Sequence, residues 1–380
     1  MQIRFINQIS QISEQQFQQL NNRDNNPFIR QSFLRALECS GVASEKGGWQ
    51  PHHLVINDDD SLIAFMPLYI KSHSYGEYVF DWSWAEAYQR YGLTYYPKLV
   101  TAIPYTPSQG ERLLVKAGYQ KADLMPLIVT AIKTEAKRLG ASSWHLLFPQ
   151  NDELSLVEQQ QLHTRLTCQF HWFNTEHWHT FDDFLGSFSA KKRKNVKQER
   201  RKVAQQGLSL RRIEGGDIIP EQLEHFYHCY HLTYLQRGRQ GYLNRAFFQQ
   251  LVQDMPEQLM LVIAYEEMTN TPVAAALFLH DKTSLYGRYW GSKVDANSLH
   301  FEACYYQGIE YCLEKGLRHF DPGTQGEHKI SRGFHPILTG STHWLAESGF
   351  DDAIRDFVEE EAEHVQQYAE QAREMLPFKA

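Results

Sequence analysis

The chain has 380 residues, 42% of them hydrophobic, and 38 Lys and Arg against 45 Asp and Glu leave a net charge of −7. That length exceeds what one core usually organises, so two domains are expected, cut at 1–180 and 181–380. No apolar run approaches the ~20 residues of a membrane span, and the acidic balance excludes a general nucleic-acid coat.

Five scattered cysteines (Cys39, Cys168, Cys229, Cys304, Cys312) lack C-x-x-C spacing, so neither a disulfide framework nor a zinc site is indicated. The polar start MQIRFINQISQISEQQ has no signal-peptide character, which points to the cytoplasm.

In chain order, a helical pattern through Phe28, Phe33, Leu34 and Leu37 ends at Gly47-Gly48. Two strand-like runs follow, PHHLVI and SLIAFMPLYI, joined by the acidic turn Asn57–Asp60. The stretch Tyr75–Tyr96 is unusually aromatic and acidic. It offers His73, Glu77, Asp81, Trp82 and Tyr91 as substrate-binding candidates, since Trp and Tyr rings with polar tips suit sugars or peptides. Packing in a core explains the same residues equally well. Apolar residues at 124, 127, 128, 131, 132, 136 and 139 predict a helix over 121–139, with Pro126 in its first turn, Gly140 as its end and SSWHLLF as the next strand.

The second half opens with KKRKNVKQERRK, eight bases against Glu199, so this segment alone carries +7 and the remainder −14. It is read as a helix in which Lys191, Lys192, Arg193 and Lys194 form a phosphate site, or as a solvated linker. Helices around 221–235 and 244–253 lead to three strands, LMLVIAY, VAAALFLH and SLYGRYW. A helix over 299–315 then ends at Gly316, and LRHF is the last strand. An antiparallel meander, a helix and a returning strand are the central order of an acetyltransferase-type (GNAT) domain. Both halves contain it, which makes the fold α/β (α+β): two tandem units, each a mixed, mainly antiparallel sheet flanked by helices.

The loop FDPGTQGEHKISRGFHP at 320–336 holds three glycines, two prolines, two histidines, two carboxylates, a lysine and an arginine. A plain turn needs glycine and proline but not this set of ionisable groups. Acyl transfer to nitrogen needs a proton acceptor and oxyanion donors. Asp321, Glu327 and His328 are candidates for the first role, Gly323, Gln325 and Gly326 for the second. Lys329 and Arg332 suit a phosphate or carboxylate, helped by a helix starting at KISRGF. Tyr289 on the preceding strand, with Glu302 and Tyr305 on the helix, is expected to line the same cleft. Glu302 serves the helix dipole equally well.

The strings GEYVFDWSWAEAY, YYPKL, P-Y-T-P with GERLL, KKRKNVKQER, LHFEACYYQGIEYC and DPGTQGEHKISRGFHP resemble the FemAB-like family of bacterial N-acyltransferases, over nearly the whole chain. The resemblance implies two tandem GNAT-like domains and transfer of an acyl or aminoacyl group to an amine, with a peptidoglycan precursor or another small molecule as acceptor. It leaves the donor open among acyl-CoA, acyl-carrier protein and aminoacyl-tRNA. The glycine turn that commonly binds acetyl-CoA is missing ahead of the 299–315 helix. A non-catalytic glycan- or peptide-binding protein derived from a transferase pair is the competing expectation.

Overall fold

The computed structural model describes every residue except Gln325 and Ala380. The chain divides into two compact units, Met1–Thr167 with Leu338–Gln367, and Cys168–Ile337 with Tyr368–Ala380. This corrects the expected single cut at 180/181. Residues 338–367 return to the first unit because they complete it: Ser341–Leu345 hydrogen-bond along Ser143–Leu147, and Ile354 and Val358 bury themselves with Trp84, Tyr88 and Tyr95.

The first unit contains β1 (Gln2–Ile6), β2 (Leu20–Asn21), β3 (Trp49–Pro51), β4 (His53–Asp58), β5 (Ser61–Met66), β6 (Tyr69–Lys71), β7 (Lys98–Thr101), β8 (Leu114–Lys116) and β9 (Ser143–Leu147). Its main helices are α1 (Gln31–Cys39), α2 (Trp82–Arg90) and α3 (Lys121–Leu139). The division falls inside β10 (His163–Phe173). The second unit contains β11 (Leu208–Glu214), β12 (Leu259–Glu266), β13 (Thr271–His280), β14 (Ser284–Ser292) and β15 (His319–Asp321). Its helices are α4 (Ala190–Gln205), α5 (Pro220–Leu235), α6 (Arg245–Asp254) and α7 (Gln307–Lys315). Strand β16 (His335–Leu345) and helix α8 (Ser348–Glu374) close the chain.

In the first unit one sheet has the order β1-β4-β5-β8-β2, and β16, β9, β7, β6 and β3 lie side by side in another. In the second the order is β11-β12-β13-β14-β15-β10. The same crossover occurs in both units. Strand β7 pairs in parallel with β9 after α3, which ends on Gly140 at φ 66. Strand β14 pairs in parallel with β15 after a helix ending on Gly316 at φ 71. A parallel neighbour requires such a crossover, and the left-handed glycine stops the helix where the chain must turn back. Two GNAT-like domains result, as the sequence pattern predicts.

Helix α3 buries Leu124, Ile128, Ile132 and Ala136 against Leu54, Ile56, Ile63 and Trp144. The second core gathers Trp172, Phe278, Leu285, Ile309, Cys312, Phe320 and Phe334, each large side chain contributing roughly 1.5–3 kcal/mol by leaving water. Gly291 lets α5 lie directly on β14, since a Cβ there would overlap the backbone of Cys229.

Two local expectations need correction. Pro126 is the sixth residue of α3, not in its first turn; it lies on the exposed face, where water can replace the hydrogen bond it cannot donate. The segment KISRGF starts no helix. Residues Glu327–Arg332 form one short 3-10 stretch that Gly333, at φ 87, ends.

Candidate active site

The loop after β15 is built around Asp321, which is 1% exposed. Its carboxylate pairs with Arg288, accepts from the Gly323 N–H at 2.9 Å and lies 3.6 Å from His171 Nε2. Arg288 reaches it because β14 carries one extra residue here: Leu277 faces Tyr289 while Phe278 faces Gly287. The bulge re-aims the guanidinium toward the end of β15. Tyr289, expected beside it, packs instead with Tyr230 and Phe248, at 5.7 and 5.3 Å between rings.

Lys329 is also 1% exposed, and its ammonium donates to the Gly323 carbonyl. Burial lowers its pKa to about 7, with Asp321 opposing the shift and Arg288 adding to it. An amine so placed exchanges its proton near neutrality. Asp321, by contrast, is a committed ion-pair partner and has no free edge for proton transfer.

His328 keeps an open side. Its Nε2 lies 2.8 Å from the Tyr305 hydroxyl, and burial, then Arg332 and Lys329, lower its pKa, so the ring is neutral at pH 7. Two tautomers satisfy the Tyr305 contact. With hydrogen on Nε2, the Nδ1 lone pair lies on the ring edge over Gly326, the form a base requires. A Cβ on Gly326, whose φ is 109, would overlap that ring. Gly326→Ala is therefore expected to displace His328 and cost about 1–3 kcal/mol; an unchanged His328 titration by NMR together with an unchanged melting temperature would refute this.

Glu327 is exposed and accepts a hydrogen bond from Tyr368 at 2.8 Å. Arg332 grips Glu199 of α4 through two nitrogens, at 2.6 and 3.1 Å, and its guanidinium lies 3.5 Å from the centre of the Phe301 ring. It is thus engaged within the protein and not poised for a ligand phosphate. Gln325 lies outside the described residues.

The crossover helix begins at Leu299–Phe301, widens into a π-turn at Glu302–Tyr306 and continues as α7. Such widened turns concentrate at functional sites. Glu302 is 4% exposed and held by Arg200 through two nitrogens at 2.9 and 3.0 Å, a structural bond between α4 and the π-turn. Around His328 stand His300, Phe301 and Tyr305, with ring centres 5.4–6.1 Å away.

On α4, Val196, Glu199 and Val203 share the packed face by helical spacing. Lys192 continues that face by one turn and is half-buried, as is Arg193. Lys191 and Lys194 are exposed. Among the described residues none of these four cations has an ion-pair partner. Glu199 is the residue sequence reasoning missed here. The clue was a single acid in a basic run, spaced onto the Val196–Val203 seam.

In the first unit, Glu77 and Asp81 are 3% and 2% exposed and share one ammonium, that of Lys98, itself 0% exposed. Asp81 also accepts from Tyr95 at 2.5 Å. Burial opposes its ionisation, but Lys98 prevails and holds it well below the usual carboxylate range. Burial dominates for Glu77 and raises it to about 7. Lys71, over the Trp49 ring at 3.8 Å, is lowered to about 7 by the same cause. The network continues from Tyr95 to His145, 3.3 Å away, and from His145 to His343 at 2.5 Å. Glu77 and Asp81 are therefore bonded into the interior. His73 is half-buried beside Tyr75, Trp82 is 39% exposed and Tyr91 is 78% exposed; the last two do not join the cluster. Sequence reasoning missed Lys98 and Lys71, though a lysine inside an otherwise apolar strand was the available clue.

Three solved structures share this fold at low sequence identity. FemX is 11% identical, with 93% of this chain and 100% of FemX covered and a TM-score of 0.53. L-PGS from Bacillus licheniformis is 11% identical over 88% and 97% of the two chains, at 0.51. A conserved protein of unknown function from Bacteroides thetaiotaomicron is 14% identical over 90% and 100%, at 0.50. No curated protein matches the sequence. Residues 8–380 match the FemAB_like family, described as peptidoglycan biosynthesis/recognition. With the match spanning both units and including the loop motif, the chain belongs to the FemAB-like family.

Proposed function

We propose that this protein is an N-acyltransferase or aminoacyltransferase that moves an acyl group onto an amine, with a peptidoglycan precursor as the acceptor class that family membership favours. The single observation that carries the reaction centre is the loop after β15. It sets a neutral imidazole with an open edge, His328, next to a buried amine with a pKa near 7, Lys329, at the end of a parallel strand beside a bulge. His328 takes the proton of the attacking amine as the C–N bond forms, and Lys329 holds or releases a proton beside the departing group. The half-buried Lys192 and Arg193, without an ion-pair partner among the described residues, hold donor phosphates, whether the donor is acyl-CoA, acyl-carrier protein or aminoacyl-tRNA. Arg332 and Glu302 keep α4, the loop and the π-turn in place.

The test supplies each of the three donors with an amine acceptor to His328→Ala, Lys329→Met and Glu327→Gln. His328→Ala and Lys329→Met are expected to lose about 100-fold in kcat, and Glu327→Gln little. Full activity in both of the first two would overturn the assignment.

A second reading, recognition without turnover, is favoured by one fact: Asp321, Glu302 and Arg332 are all committed to protein partners. Retained acceptor binding with no donor binding in the same experiment would select it. No helix among the described residues is long and apolar enough to cross a membrane.

A further inference from the structure

Behind the loop after β15 runs a line of polar side chains that the reaction centre does not use. It crosses three neighbouring strands of the second unit. Strand β10 is antiparallel to β15 and pairs Phe173 with His319 and Trp172 with Phe320, so the next step along the register brings His171 opposite Asp321. Strand β14 is parallel to β15 on its other side and sets Ser284 beside His319. Gln169 and His171 share one face of β10 by the two-residue period of a strand. Gln169, His171 and Ser284 are buried and His319 is half-buried.

The contacts fix where each proton of this line sits. Burial keeps both rings neutral at pH 7. His171 Nε2 lies 3.1 Å from Gln169 Oε1, an oxygen that only accepts, so Nε2 carries the hydrogen and Nδ1 is bare. His319 Nε2 is 2.7 Å from that bare nitrogen and therefore donates to it. The remaining His319 Nδ1 accepts from the Ser284 hydroxyl at 3.0 Å. The last N–H of the line, on His171 Nε2, stands 3.6 Å from Asp321 Oδ1. That same oxygen accepts the Gly323 N–H, and the Gly323 carbonyl accepts from Lys329. Reversing the line would turn a bare nitrogen toward two oxygens at once.

Mutual satisfaction of buried polar groups explains that such groups are paired; it does not require that every donor point the same way. Here the positive end of each dipole points toward the carboxylate that favours the Lys329 ammonium. A donor on that carboxylate draws on the same negative charge and weakens its hold on the lysine proton. The other titratable or charged groups acting on Lys329 are Arg288, Cys304, His300 and His328.

We infer that His171, oriented by His319 and Ser284, is a positioning residue that holds Asp321 and through it sets how readily Lys329 gives up its proton. The inference deepens the transferase reading, on which it rests for the place of Lys329 in the reaction centre.

The experiment follows the full chain by NMR across neutral pH, with isotope labels at the lysine Cε and the histidine ring nitrogens. The Lys329 signal is identified by its loss in Lys329→Met. In the unaltered chain His171 and His319 are both expected as Nε2–H tautomers; the other tautomer at His171 overturns the inference without any variant. His171→Phe is expected to raise the titration midpoint of Lys329 by about half a pH unit to one unit. His171→Gln, whose amide nitrogen takes the place of Nε2, should restore most of that shift. Ser284→Ala, a substitution outside the loop, lets the line reverse and should move the midpoint the same way by less. A lower melting temperature in His171→Phe with an unchanged Lys329 midpoint, or no restoration by His171→Gln, marks a merely structural pair and overturns the inference. Transfer to a simple amine is measured alongside. An unchanged midpoint with transfer intact overturns this inference alone, and a shifted midpoint in a chain that transfers to no acceptor sinks the transferase reading alone.

Discussion

Lys98→Met is expected to destabilise the first unit by about 3–5 kcal/mol at pH 8, the cost of stranding buried charge when one partner of an ion pair is removed. Lys98 is fully buried and serves Glu77 at 2.8 Å, Asp81 and the Ser74 hydroxyl at 2.9 Å. Methionine fills the same volume and supplies none of these bonds. Lys71 cannot replace it, since its nitrogen stands 3.9 Å from Glu77 and its own pKa is already lowered to about 7.

The pH dependence gives the test its sign. In the native chain Asp81 has a depressed pKa, so its contribution is present above the unfolded value and is lost as pH falls through the folded one. Without Lys98, burial raises both carboxyls, and the folded state then binds more protons than the unfolded state. The defect of Lys98→Met should therefore shrink as pH falls from 8 to 5. Urea denaturation at both values checks it, and a loss under about 1 kcal/mol at pH 8 would show that the cluster is solvated in solution.

What could be read in the sequence, and what could not, divides by the distance over which partners meet. Helices 121–139 and 299–315, Gly140, Gly316 and the three strands of the second-unit meander follow from local periodicity and turn chemistry, and the structure contains them. The π-turn at Glu302–Tyr306 was not legible in the local spacing. Strands β10 and β16 mix Thr, His, Cys and Gln with apolar residues and show no clean alternation, so neither carries a local strand signal. The loop at 320–336 was recognisable from composition as more than a turn. Its division of labour was not. Arg332 reads as a ligand cation until Glu199, 133 residues away, is seen to hold it, and Asp321 reads as a base until Arg288 and His171 are placed beside it.

The same long-range burial predicts marked acid sensitivity in the second unit. His171 is pushed down to about 3 and His225 and His300 to about 4, burial being the leading cause for each. Their charged neighbours are Asp321, Lys329 and Arg288 around His171, Lys293 beside His225, and Lys329 and Arg332 near His300. Below the unfolded value near 6.5 the unfolded chain binds protons that the folded unit refuses, so stability falls as pH falls. Each histidine contributes up to about 1.4 kcal/mol per pH unit until its folded pKa is reached, and three together approach about 4 kcal/mol per unit. As an upper limit over the unit between about pH 6 and 5, that approaches the low end of an ordinary domain's stability of about 5–15 kcal/mol.

The first unit behaves differently. His145, lowered to about 3, works in the same direction, as does His343. Glu77, raised to about 7, works against them, because its folded form takes up a proton first as pH drops from 7. Hydrogen exchange at pH 7.5, 6.5 and 5.5, corrected for intrinsic rates, should show protection falling first in β12–β14 of the second unit, with α3 of the first unit following. Equal protection in β12–β14 at pH 7.5 and 5.5 would mean that the three histidines are accessible to protons without unfolding. Replacing His225, 7% exposed and 3.1 Å from Lys293, with asparagine should then recover part of the loss at pH 5.5 if its refusal of a proton is the cause.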